Sequence, residues 1–258
     1  MQPRLAFLRA AGKRLEKRLP LSQVFPFPEA RVARMDSDTT GGKESHAQIL
    51  GKFRRGETDI LIGTQMIAKG LDFPNVTLVG VVAADMSLQM PDFRAAERTF
   101  QLLTQVAGRA GRGDVPGDVY IQTFAPFHPA VQCARNSDYR SFYDQEIVFR
   151  REMGYPPFTR LTVVRFTGED EGAVNEAARA LGEALEKALA GGDGSREVRV
   201  NGPAPAALAK AKGQYRVQLF LWGRTVRETS RVLGKAMKRV AVPKGVAVGV
   251  NVDALSVM

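Results

Sequence analysis

Cysteine is all but missing. The single Cys133 excludes an internal disulfide framework and any cysteine-rich zinc module, and it reads as a small buried apolar side chain. No apolar run reaches the length of a membrane span, and charges punctuate Met1 to Pro20, so neither a signal peptide nor an anchor is expected. A phosphate-cradling loop is lacking as well. Gly-x-x-x-x-Gly-Lys-Ser/Thr wraps backbone amides around phosphates, and no Gly-Lys pair in this chain has the earlier glycine five residues before the second. The acidic pair Asp170 and Glu171 of "GEDEGA" reads as the start of a helix and not as a magnesium motif.

A chain of 258 residues with 44% hydrophobic content has material for one large or two ordinary domains. Its formal charge is +10, and the distribution matters more than the size. Between Arg196 and Lys244 stand twelve lysines or arginines against Glu197 and Glu228, so this stretch holds the whole excess. Such a surface attracts phosphate backbones or acidic protein tails, although a solvated basic face has the same composition. Lys210, Lys212 and Arg216 flank a glycine in what reads as a loop leading into a strand, and are the candidate anion grip. Tyr215 and Trp222 are seven apart on that strand and therefore face opposite ways, so at most one joins the basic surface.

The apolar runs "ARVARM", "DILIGT", "VTLVGVVAAD" and "GDVYIQTF" read as strands separated by helical patterns, which predicts a parallel sheet with ligands beyond its carboxyl edge. Polar clusters fall at those strand ends: Arg34 to Thr40, Gly63 to Asp72, and Asp85 to Arg94. A helix over Asp138 to Met153 closes at "GYPPF", where paired prolines cannot continue it. Beyond it the order is strand, helix, strand, strand, helix, strand, a small α/β sandwich with "GPAPAALAKAKGQ" as a long loop.

Two stretches carry chemistry. In "QLLTQVAGRAGRG", Gln105 and Arg109 are four apart and Arg109 and Arg112 three apart, so all three lie along one helix face. Gly108 and Gly111 leave room for another body to approach, and arginine's planar fork suits phosphate. In "ILIGTQMIAKGLDFPNV", Gly63 and Thr64 stand where a strand gives way to a helix, with Lys69, Gly70 and Asp72 one turn later. That junction is suited to a nucleic-acid phosphate, while Asp72 either contacts a ribose, orients an arginine or is an ordinary loop carboxylate.

Together "DILIGTQMIAKGLDFPNVTLVG" and "PDFRAAERTFQLLTQVAGRAGRG" resemble the last two motifs of superfamily 2 helicases, in the form found in the primosomal protein N′ family of replication-restart helicases. The likeness runs from about Ala30 to the C-terminus through "RMDSDTT", "GYPPF", "GPAPA" and "VDALS". It implies a RecA-like second helicase lobe over 30–137, a helical linker over 138–157 and an S10-like C-terminal domain over 158–258. Residues 1–29 match it poorly. Arg109 and Arg112 would face ATP phosphates, Gln105 would be their partner, Gly108, Gly111 and Asp72 would border the nucleotide, and Gly63, Thr64, Lys69 and Gly70 would couple to DNA. The resemblance further implies ATP with Mg2+, zinc held by cysteines that this chain lacks, and forked or single-stranded DNA. Implied partners are single-stranded DNA-binding protein and primosome proteins, in a bacterial cytoplasm near the nucleoid. Its alternative is a non-catalytic module that binds DNA or single-stranded DNA-binding protein. With the first lobe and its phosphate loop absent, ATP hydrolysis by this chain alone is not expected.

Overall fold

In the computed structural model, the described residues are 4–9 as backbone, 29–35, 46–63, 76–108, 116–191 and 197–257. Two compact units result, Met1–Met90 with Arg94–Gln145, and Pro91–Phe93 with Glu146–Met258.

The described elements of the first unit are β1 (Arg4–Arg9), β2 (Val32–Met35), α1 (His46–Arg55), β3 (Ile60–Gly63), β4 (Val76–Val82), α2 (Asp85–Leu88), α3 (Ala95–Ala107), β5 (Asp118–Ile121) and α4 (Pro129–Arg135). The strands form one parallel sheet in the order β2-β3-β1-β4-β5. Residues 1–29 were expected to lie outside this lobe, yet Arg4–Arg9 is its central strand, paired with β3 through Leu5 and Ile60 and with β4 through Phe7 and Gly80. A four-residue apolar run between two arginines gives too short a signal to stand out from sequence.

Helices cover the sheet because their apolar residues recur at helical spacing. Ile49 and Phe53 are buried on α1, and Phe100, Leu103 and Val106 on α3, in one core with Val79 and Val81 of β4. Phe100 stacks on Phe142 with ring centroids 4.5 Å apart. Phe53 is 1% exposed, so Phe53→Ala would cost roughly 3–5 kcal/mol. The helix expected over Asp138 to Met153 is α5 (Tyr139–Met153), begun by Asp138, whose Oδ1 accepts from the Ser141 amide at 3.0 Å.

The second unit runs β6 (Arg160–Gly168), α6 (Glu171–Ala190), β7 (Arg199–Ala211), β8 (Gln214–Gly223), α7 (Val226–Met237) and β9 (Ala247–Asn251). Its antiparallel sheet has the order β7-β8-β6-β9, the split βαβ arrangement. Val164, Phe166, Leu219 and Leu221 meet α6 and α7 on one face, while Leu161, Val163 and Trp222 meet Ala254, Phe93 and Tyr155 on the other. Asp170 caps α6 by accepting from the Ala173 amide at 2.9 Å, consistent with a helix start.

One expectation is corrected here. "GPAPAALAKAKGQ" is not a loop but most of β7 and its turn into β8. β7 is an edge strand, which tolerates Pro203 and Pro205 because only one side of it must be paired. The register shifts between Asn201 and Ala204 and again between Pro205 and Lys210, where the ladder yields to that composition. The hairpin closes at Lys212 and Gly213, with φ of 51° and 80°, the left-handed pair that a two-residue turn requires.

Candidate nucleotide and nucleic-acid interface

The carboxyl edge of the parallel sheet is where the first unit can hold a ligand. From β1 the chain continues to β2 and from β4 to β5, toward opposite edges of the sheet, so the ends of β1 and β4 form the switch point at which sheets of this kind hold their ligands. Next to it, Gly63 ends β3, buried and in register with Leu8 and Met35. Thr64, Lys69, Gly70 and Asp72, which continue that junction, lie outside the described residues.

At the end of β4 the chain turns through Ala83, whose φ is 54°, and begins α2 with the buried Asp85. The Asp85 carboxylate accepts from the Thr123 hydroxyl and from the amides of Phe124 at 2.9 Å and Ala125 at 3.0 Å. Burial pushes its pKa up, but the hydrogen bonds from Thr123, Phe124 and Ala125 more than offset this and hold it below the ordinary value. Ala84 N–H donates to Gln122 O at 3.1 Å and Gln122 N–H to Val81 O at 2.8 Å, so the ends of β4 and β5 are tied at one point. Sequence reasoning placed Asp85 only at the head of a polar cluster. Its partners lie 38 to 40 residues away, and an aspartate directly after an apolar strand is the one local sign of it.

On α3 the residues facing outward are polar at helical spacing. Arg94 forks onto Glu97, with Nη2 to Oε1 at 2.6 Å and Nε to Oε2 at 3.0 Å, and Gln101 Nε2 reaches Oε1 of the same carboxylate at 3.3 Å. Gln105 continues this row, exposed, while Val106 beside it is buried. Gly108 caps the helix, its N–H donating to Thr104 O at 3.0 Å. Arg109, Gly111 and Arg112 lie outside the described residues. Of that candidate set, Gln105 and Gly108 occupy the outward end of one helix that enters this stretch.

The candidate anion grip is not gathered in one place. Lys210 stands directly across from Tyr215, its Nζ donating to Tyr215 Oη at 2.8 Å and lying 4.1 Å from the ring centroid. Arg216 is the next residue on β8, opposite Thr167, and so points to the other face of the sheet. Lys212 is in the turn between them. Trp222 packs in the core with Leu161 and Val163, and Tyr215 lies on the face away from it, as their spacing predicts. Gln218, buried between them on β8, has its amide oxygen oriented to accept from Arg165 Nε at 3.0 Å and Nη2 at 2.8 Å, and its nitrogen donates to Val257 O at 3.1 Å.

Among the described residues no group of three or more His, Cys, Asp or Glu side chains is placed to hold a metal ion. Cys133 is buried, and burial followed by the Asp138 charge pushes its thiol pKa up, which keeps it protonated and a poor ligand. Among the same residues, no helix is long and apolar enough to cross a membrane.

Comparison with known proteins adds the context. Residues 151–255 match the family described as Primosomal protein N C-terminal domain, and residues 10–114 match Helicase conserved C-terminal domain. The replication restart protein PriA of Bacillus subtilis (strain 168) is 44% identical over 234 residues, 90% of this chain and 28% of that protein. That of Synechocystis sp. (strain ATCC 27184 / PCC 6803 / Kazusa) is 42% identical over 231 residues, 90% of this chain and 27% of its own. That of Treponema pallidum (strain Nichols) is 42% identical over 233 residues, 90% of this chain and 34% of its own. The chain thus spans 27 to 34% of the length of these curated relatives.

Proposed function

The chain belongs to the replication restart protein PriA family, of which it carries a C-terminal portion, and from that premise we propose that it forms the second motor lobe and terminal domain of a DNA helicase. The parent enzyme would move three-prime to five-prime on forked or single-stranded DNA, driven by ATP with Mg2+, in the bacterial cytoplasm at the nucleoid. Single-stranded DNA-binding protein and primosome proteins would be its partners.

In this reading Arg109 and Arg112 reach the terminal phosphates of ATP held on another lobe, and Gln105 helps to orient them. Arginines delivered in this way stabilise charge on the transferring phosphoryl group and typically contribute ~10³–10⁵ in rate. Gly108 and Gly111 would let the helix end approach the nucleotide, with Asp72 bordering it. Thr64, Lys69 and Gly70, following Gly63, would hold a DNA phosphate and couple its position to closure of the lobes. A zinc site, where a family member has one, would lie outside this chain, whose one cysteine is Cys133. The observation that supports this reading most is α3: its buried row fixes the helix to the sheet, and its outward row leads through Gln105 and Gly108 into "RAGRG".

The concentration of twelve cations against two acids from Arg196 to Lys244 favours a second reading, a non-catalytic module for DNA or an acidic partner. ATP turnover by the purified chain, measured with and without single-stranded DNA, tests the first, and anisotropy of a labelled single-stranded oligonucleotide tests whether the chain binds DNA at all. Turnover no faster than buffer is expected, because the phosphate loop is not in the sequence. DNA-stimulated turnover abolished by Arg112→Ala would overturn the reading that the ATP phosphates are held on another lobe.

A further inference from the structure

The chain leaves the first unit once in mid-course. Met90 and Arg94 belong to that unit, whereas Pro91–Phe93 between them belongs with the second. The excursion falls in the connection from α2 to α3, directly before the helix that carries Gln105. Both of its larger side chains are taken up by the second unit. The Asp92 carboxylate is 8% exposed, and its Oδ2 accepts from the Ser256 hydroxyl at 2.6 Å. Ser256 is held on either side, since Ala254 N–H donates to Leu161 O at 2.7 Å and Val257 O accepts from the Gln218 amide nitrogen at 3.1 Å.

The Phe93 ring lies against Tyr155 with centroids 6.0 Å apart, and Tyr155 in turn lies against Trp222 at 5.5 Å. The guanidinium of Arg150 stands over Phe93, 5.5 Å from the ring centroid, while its Nε donates to Glu146 Oε1 at 2.8 Å. The two charged side chains are only 11% and 13% exposed, so neither leaves the other at small cost and the wall beside Phe93 is fixed. Phe93 thus packs with Leu161, Val163 and Trp222 and adds nothing to the core of the first unit. From it the chain enters α3 at once. Arg94 forks onto Glu97 in the first turn, and a helix of 13 residues is about 20 Å long and stiff along its axis. Where its beginning is held therefore bears on where its far end stands.

We propose that Asp92 and Phe93 are positioning residues for ATP hydrolysis in the parent enzyme: through them the second unit holds the beginning of α3 and sets where Gln105 and the arginines after Gly108 meet the phosphates. This rests on the reading that Arg109 and Arg112 face ATP. It gives the second unit a task in the motor reaction that calls for no nucleic-acid contact of its own. A reacting group displaced by about 1 Å can lose on the order of a hundredfold in rate, so a loosened grip acts on turnover before it acts on substrate binding.

The test uses a full-length family member carrying this C-terminal portion and follows DNA-stimulated ATP turnover, KM for ATP, DNA affinity and urea midpoint. Phe93→Ala is expected to lower kcat about tenfold or more and Ser256→Ala several-fold, with KM and DNA affinity within about twofold of the unaltered enzyme. Ser256→Thr keeps the hydroxyl and should restore kcat. Val232→Ala, in the core on the opposite face of the second sheet, loses stability without touching the excursion and should leave kcat unchanged. In the 258-residue chain, Ser256→Ala should speed hydrogen exchange over residues 91–98 and leave α1 as protected as before. Should Phe93→Ala fail to fold, the two Ser256 variants decide, since they alter one hydroxyl and one methyl. An equal fall in turnover for Val232→Ala would overturn the proposal, because stability of the second unit would then be all that counts. Undiminished kcat in the Phe93 and Ser256 variants would overturn it too; if Arg112→Ala still abolishes turnover, the arginine reading stands without the grip. If Arg112→Ala keeps full turnover, the arginine reading fails and the proposal with it.

Discussion

Asp85 and Thr123 are joined across the ends of two neighbouring parallel strands, the carboxylate at the head of α2 accepting the hydroxyl that follows β5. With the Phe124 and Ala125 amides on the same group, this is where the carboxyl edge of the first unit is held together. Because the folded pKa is lowered, the associated stability is present above the unfolded value of about 3.9 and is lost as pH falls through the folded value.

Asp85→Ala is therefore expected to cost on the order of 2–4 kcal/mol near neutral pH, since a hydroxyl and two amides lose a charged acceptor. The variant should also lose part of the stability change expected as pH falls below about 4 through the lowered folded value. Urea unfolding followed by circular dichroism at several pH values measures both. The emission of Trp222, the single tryptophan, reports the second unit separately and should be little changed. Superimposable pH profiles for the two proteins would show that Asp85 does not titrate as argued.

Gly202 and Gly213 both have positive φ, at 103° and 80°, but their surroundings differ. A Cβ on Gly202 would stand 2.8 Å from Gln218 O and 3.2 Å from Ala204 N, whereas one on Gly213 meets nothing within 4 Å. Gly213→Ala should cost only the left-handed backbone penalty of roughly 1–2 kcal/mol. Gly202→Ala should cost about 3 kcal/mol or more, because backbone must move as well. Urea midpoints from Trp222 emission rank the two, and equal costs would mean that β7 shifts freely at this point.

The second unit was largely legible because its helices and most of its strands keep one period each. Leu219 and Leu221 alternate with Phe220 and Trp222 on β8, and Thr225 with Glu228 spells the capping box at the start of α7. β7 was not legible, because prolines, glycine and alanines signal a loop until one knows that the strand lies at a sheet edge. β1 was not legible either, since its place between β3 and β4 is decided by pairing partners more than fifty residues away. Lys210 and Arg216 are separated for the same reason: a loop can turn three cations to one side, and a strand cannot. On α3 the spacing of Phe100, Leu103 and Val106 was enough to leave Gln105 facing outward.

Thr225→Ala should cost about 1 kcal/mol, as the Glu228 amide loses its acceptor at 3.3 Å. Combining it with Glu228→Ala should cost less than the two changes added separately, because the box is one reciprocal arrangement. A double-mutant cycle on urea midpoints measures the coupling. Strict additivity would mean that cap and carboxylate act independently.

The proposed motor role predicts a separation of effects along α3. Gln105 is exposed and its buried neighbour Val106 faces the core, so Gln105→Ala should leave stability within about 0.5 kcal/mol of the unaltered protein. Val106→Ala, by contrast, should cost about 1–3 kcal/mol through lost burial. In a full-length family member carrying this C-terminal portion, Arg112→Ala should lower DNA-stimulated ATP turnover on the order of a thousandfold while DNA affinity changes little. The reason is that an arginine meeting the transferring phosphoryl group acts on charge that develops in the transition state, which ground-state DNA binding does not sample. Gln105→Ala should lower turnover less, since it would orient the arginines without carrying their charge. Turnover, DNA affinity and urea midpoint are to be measured together on all three variants. If Arg112→Ala reduces DNA affinity and stability in step with turnover, the arginine supports the fold and the phosphate assignment falls. Should Val106→Ala alone reduce turnover, α3 would serve only as a strut, and the residues that meet ATP would have to be sought elsewhere in the parent enzyme.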